Sequence, residues 1–198
     1  DEGQNLTLIA DQVAGPRENT EDATSETLHW GITHFNYSPR VKESLGADAA
    51  DVKTAIDNLD AGGGTPMGTS MQDDYVSNYD YYENVADPDD AECASKFMVV
   101  MTDGFPSGDS DWDRITVESP TPNFSDTTKS YVDDDGWTDS GGNPNYSDDV
   151  AYWLKNEATY EHTVHTIGFT LTNPLLGDMA DVSGGIYLTA YSEGQLVN

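Results

Sequence analysis

Apolar positions along the chain follow two rhythms. Residues 29–36 (HWGITHFN) carry Trp30, Ile32 and Phe35 in a β-prone stretch and predict a strand. Residues 51–60 place Val52, Ala55, Ile56 and Leu59 at i, i+3, i+4 and i+7, the spacing of an amphipathic helix. Three glycines at 62–64 end it. Thr65-Pro66 then opens a second helix, along which Met67, Met71, Tyr75, Tyr79 and Tyr82 share one face.

The most apolar run, residues 96–101 (KFMVVM), has the length and valine content of a strand buried on both faces. It leads into a turn at Thr102-Asp103-Gly104-Phe105-Pro106. From Ser107 to about Ser147 the sequence is polar and aperiodic, a long acidic insertion. Residues 148–158 return to a helical pattern through Val150, Ala151, Trp153 and Leu154, with two acids in the first turn where the helix dipole favours them. A strand at 162–170, a short helix at 174–182 and a strand at 185–190 follow, and 192–198 begin another helix. Helices thus alternate with strands. The pattern predicts an α/β fold, an open and mostly parallel sheet flanked by helices, as one domain spanning 1–198 with the acidic loop insertion at 107–147.

In such sheets ligands bind beyond the carboxyl ends of the strands. The turn after Met101 and the loop bearing Thr65 both belong there, which nominates Thr65 and Asp103 as neighbours. Taken singly, each has an ordinary role. Thr65 suits a helix cap before Pro66, and Asp103 suits a turn before Gly104. Taken together, a hydroxyl and a carboxylate suit a hard divalent cation, Mg²⁺, Mn²⁺ or Ca²⁺.

The charge bears on partners. Against 37 acidic residues stand 8 Lys and Arg, a net charge of −29. That field repels phosphate backbones, so nucleic acid is disfavoured as a partner. No apolar run approaches the length of a membrane span. Most of the acids are expected to be a solvated surface; a few sites need only a handful of them. Asp109, Asp111 and Asp113 have the alternating spacing that opens a calcium loop, without the glycine and the distal glutamate that complete one. The cluster Asp133, Asp134, Asp135 and Asp139 is a second candidate. With few apolar anchors, the insertion is expected to pack thinly and to need calcium to order it. The single cysteine, Cys93, excludes an internal disulfide, and the four histidines do not form a catalytic set. No nucleophile elbow occurs, so an enzyme is not expected.

The segments Gly63-Gly64-Thr65-Pro66-Met67-Gly68 and Val99-Val100-Met101-Thr102-Asp103-Gly104 together resemble a von Willebrand factor A domain. Downstream, Cys93 ahead of KFMVVMTDGFPSGD, then SDDVAYWL, then VHTIGFTLTNPLLGDMADVSGGIYLTAYSEGQL resemble the type IV pilus tip-associated PilC/PilY family. The likeness spans roughly residues 29–198. It implies a non-enzymatic adhesion or pilus-assembly module at the cell surface. A metal-ion-dependent adhesion site, with Thr65 and Asp103 as ligands, would recognise a protein or surface ligand, pilus subunits among them. The alternative it leaves is a structural module of a larger surface protein whose metal site has decayed.

The chain departs from the family at its start. No Asp-x-Ser-x-Ser triplet, which completes the family's metal shell, occurs near the amino terminus. Either residues 6–10 (LTLIA) are the first strand, with Asp11 the surviving acid of a degenerate loop, or residues 4–14 are the helix that follows a strand lying upstream of Asp1. The run fits both periods.

Overall fold

The computed structural model describes residues 6–13, 27–36, 39–59, 62–84, 95–107, 113–132, 136–139 and 141–191. Six strands form one sheet: β1 (Leu6–Val13), β2 (Thr27–Phe35), β3 (Pro39–Ala47), β4 (Ser95–Thr102), β5 (His162–Phe169) and β6 (Tyr187–Ala190). Their spatial order is β3-β2-β1-β4-β5-β6. Strands β4, β5 and β6 are parallel neighbours, whereas β1 runs antiparallel to both β2 and β4, and β3 antiparallel to β2. The fold is α/β with helices flanking the sheet. Only the β4–β6 half has the parallel arrangement expected of most of the sheet.

Residues 6–13 form a strand, and its direction is what neither sequence alternative anticipated. A parallel connection from β1 to β2 needs a crossover of a dozen or more residues, usually a packed helix. The intervening sequence, AGPRENTEDATSE, offers no apolar stripe for such a helix. Antiparallel pairing makes no such demand.

Four helices complete the described fold: α1 (Ala49–Asp57), α2 (Met67–Asn84), α3 (Ser147–Asn156) and α4 (Pro174–Ser183). The main core joins α2, α3 and α4 to one face of the sheet through Phe35, Met71, Tyr75, Met98, Val100, Leu154, Val164 and Leu176. Each such side chain, fully buried, contributes roughly 1.5–3 kcal/mol. A smaller cluster of Ile32, Val52 and Leu59 places α1 against β2 and β3. Phe35 and Ile32 lie an odd number of residues apart on one strand, so α1 covers the opposite face from α2. Helix α4 is framed by its sequence: the Asn173 side chain accepts the Leu175 amide at 3.1 Å, and Pro174 occupies the first turn.

Two local expectations are revised. Strand β4 is not buried on both faces: Lys96, Met98, Val100 and Thr102 are buried, while Phe97, Val99 and Met101 are half-buried. The described part of the connection from β4 to α3 does not pack thinly either. Ile115 and Phe124 are completely buried in the main core and Val132 nearly so. The Arg114 guanidinium clasps both carboxylate oxygens of Asp73 on α2, and Trp137 donates to Asp178 on α4 at 3.1 Å. Glu118 accepts from the Tyr75 hydroxyl and from the Thr159 amide and hydroxyl. Packing and these ties hold the described part of the connection.

Candidate functional site

Strand β4 ends at Thr102, whose hydroxyl accepts the Gly104 amide at 3.0 Å and so turns the chain at Asp103. The loop ahead of α2 comes up against this turn. A Cβ built on Gly104 would lie 2.6 Å from the Thr65 hydroxyl oxygen, so the hydroxyl rests directly over the glycine next to Asp103. The two loops are joined: the Thr65 amide donates to Ser107 Oγ at 2.8 Å, and the Ser107 amide donates to the Thr65 carbonyl at 3.1 Å. A third segment enters from the end of β2. The Asn36 side chain lies where a Cβ on Gly63 would be, with its Oδ1 2.0 Å from that position. Gly63 has φ +96°, a conformation that side-chain-bearing residues rarely adopt. The register of β4 with β5 aligns Thr102 with Gly168, which brings the end of β5 to the same rim.

The sequence-nominated pair Thr65 and Asp103 is therefore brought together at the carboxyl end of β4. Thr65 is buried and Asp103 half-exposed. Asp11 is not brought to them. It pairs with Lys96 near the start of β4, while Leu6 pairs with Met101. At about 3.3 Å per residue, six residues put Asp11 roughly 20 Å from the rim. Its place there follows from the reversed direction of β1. Asp113 is exposed, next to the Arg114 that grips α2. Asp109, Asp111 and the cluster at 133–135 lie outside the described residues. Asp139 accepts the Gly141 and Asn143 amides, each at 2.8 Å, in a local turn.

Among the described residues no three His, Cys, Asp or Glu side chains come together to hold a metal ion. What the rim offers is oxygen: one hydroxyl and one carboxylate from the nominated pair, both hard donors suited to Mg²⁺, Mn²⁺ or Ca²⁺. A cation held there would keep much of its water, and the strongly negative chain would raise its local concentration. The contacts that Ser107, Gly104 and Asn36 make at the rim were not read from the sequence. Their roles arise from contacts between segments about 40 residues apart or, for Asn36, from what stands over one glycine.

A second polar cluster lies at the other end of β4 and β5. His162 is buried. Its Nδ1 lies 2.7 Å from the Tyr160 carbonyl, which can only accept, so Nδ1 carries the proton. Nε2 then accepts from the Tyr82 hydroxyl at 3.0 Å. Lys96 Nζ sits 5.5 and 5.7 Å from the ring centres of Tyr82 and Tyr160. Burial first, and then the Lys96 and Lys155 charges, pull the imidazole down to about 4, against the opposing effect of the Tyr160 carbonyl. This ring is neutral at ordinary pH and fully engaged, the environment of a structural histidine. Elsewhere on α2, against β2, the Asp74 carboxyl is held above the usual carboxylate range by burial and by Asp73, despite its hydrogen bond from Thr33.

A cleft of about 230 Å³ is lined by Glu118, Pro120, Lys129, Tyr131 and Trp153. No helix among the described residues is long and apolar enough to cross a membrane. Comparison with known protein families, with curated proteins and with solved structures found no match to this chain.

Proposed function

We propose that this chain is a non-enzymatic recognition module, displayed at the cell surface in the manner of the von Willebrand factor A domains of pilus-tip proteins. It meets its partner through a divalent cation at the rim of the sheet. The observation that carries this reading is the convergence of the Thr65 and Asp103 loops at the carboxyl end of β4, with the Thr65 hydroxyl against Gly104. Thr65 and Asp103 are the residues that would hold Mg²⁺, Mn²⁺ or Ca²⁺. The cation would supply an open position for a carboxylate from a protein or surface ligand, pilus subunits among them. The chain's own part is to present two oxygen donors on short, tied loops and to repel polyanionic competitors through its charge of −29.

Calorimetric titration with Mn²⁺ and with Mg²⁺, on wild type, Asp103→Ala and Thr65→Ala, tests the proposal. Saturable binding by the wild type that is lost in Asp103→Ala, with the circular dichroism of both unchanged, is the expected result. Negligible binding by the wild type overturns it. One observation favours a second reading. With Asp11 at the far end of β1, the nominated pair brings a single carboxylate, as in a domain that keeps its fold after its metal site has decayed and serves to join parts of a larger surface protein. That reading takes over if neither cation binds.

A further inference from the structure

We infer that Ser107 is the positioning residue of this rim: it fixes the Thr65 loop against the Asp103 loop and so sets the separation of the two oxygen donors. The inference rests on the metal-site reading above.

Each donor loop has its own internal anchor. The Asp103 turn is held by the Thr102 hydroxyl, which accepts the Gly104 amide. On the other side, α2 is started by the Pro66 carbonyl, which accepts both the amide of Ser70 at 3.0 Å and its hydroxyl at 2.6 Å. Neither anchor relates one loop to the other. Ser107 does so twice, by donating its amide to the Thr65 carbonyl and accepting the Thr65 amide on its hydroxyl. Both backbone polar groups of Thr65 are thereby engaged by one residue of the other loop, and the carbonyl also accepts the Met67 amide at 3.0 Å within its own loop. Pro66, which follows, has no N–H, so its nitrogen cannot supply a competing donor.

On the opposite side, Ser107 stands four residues after Asp103. The intervening Pro106 is buried, and its ring fixes its own φ just ahead of Ser107. Ser107 thus ties Thr65 to the segment that continues directly from the Asp103 turn. The hydroxyl bond is the half of this pair that a side chain controls. Without it the Thr65 amide loses that partner in a buried setting, and of the two bonds between Ser107 and Thr65 only the backbone one remains.

The experiment uses the whole chain as wild type, Ser107→Ala and Ser107→Thr. Three measurements are taken on each: Mn²⁺ affinity by calorimetry, hydrogen exchange at the Thr65 amide by NMR, and melting temperature. In Ser107→Ala, Mn²⁺ affinity is expected to fall about 3- to 10-fold, the equivalent of one lost hydrogen bond. Thr65 exchange should quicken while other core amides stay protected, and Ser107→Thr should restore both. Wild-type Mn²⁺ affinity in Ser107→Ala overturns the positioning role and leaves the metal reading standing. A general drop in melting temperature and protection that Ser107→Thr does not rescue also overturns it, since that marks a structural hydroxyl. No saturable Mn²⁺ binding by the wild type, with the Thr65 amide protected as described, overturns the metal reading, and the inference falls with it.

Discussion

Acidification isolates one buried group. Folding lowers the pKa of His162 from an ordinary 6.5 to about 4, so the neutral ring is the form that stabilises the fold. That contribution is whole above pH 6.5 and is lost as the pH falls toward 4. A shift of this size corresponds to about 2 kcal/mol lost at pH 5 and about 3 kcal/mol at pH 4. The structural reason is specific. A proton arriving at Nε2 would turn an acceptor of the Tyr82 hydroxyl into a donor, in a buried site that already faces the Lys96 ammonium. Urea denaturation of wild type and His162→Gln between pH 8 and pH 5, at fixed ionic strength, reads the effect. The substitution has its own cost, but that cost does not titrate. The comparison also cancels the relief of carboxylate repulsion that acidification brings to a chain with 37 acids. The wild type should lose about 2 kcal/mol relative to the variant across this range. Stability curves that stay parallel to within about 0.5 kcal/mol would refute the assignment of His162 as a buried neutral ring.

Two further outcomes follow from close contacts. Gly104→Ala should destabilise the chain by roughly 1–3 kcal/mol, because the new Cβ meets the Thr65 hydroxyl at 2.6 Å. In a Thr65→Ala background most of that cost should vanish, and a double-mutant cycle showing simple additivity would contradict the contact. Asp74→Asn should gain stability over wild type as the pH rises above the ordinary carboxylate range. A carboxyl whose pKa is raised by folding stabilises fully below its unfolded pKa and loses that contribution as it ionises. Denaturant melts of the two proteins from pH 4 to pH 8 check this, and a difference independent of pH would argue against a buried, protonated Asp74.

Much of the fold was legible because local pattern and final environment agree. The helical repeat of Met67, Met71, Tyr75 and Tyr82 reports the face that α2 buries, and the run at 96–101 reports β4. Strand β3 escaped notice because Arg40, Lys42 and Glu43 interrupt its few apolar positions and Pro39 stands at its start. The direction of β1 was beyond any local reading: LTLIADQV alternates equally well either way, and its partners in β4 lie about 90 residues on. The same limit applied to the rim. Thr65 and Asp103 could be paired by topology, because strand ends converge. Ser107 and Asn36 could not, since a serine in a polar loop and an asparagine at a strand end look alike whether or not another loop leans on them.

Among the described residues, strand β1 is also the strand whose hydrogen bonds bridge the two halves of the sheet, for it lies between β2 and β4. During synthesis this imposes a wait. At about 5–20 residues per second, some 4–18 seconds separate the emergence of Val13 from that of Thr102. For that interval the β1–β2–β3 meander can form, but the side of β1 that will meet β4 stays unpaired, an open edge of the kind that recruits strands from neighbouring chains. Residues 1–94 carry a strong excess of acids over Lys and Arg, so nascent copies repel one another while the edge is bare. The acidity that tunes the finished surface would act first as a chaperone built into the chain.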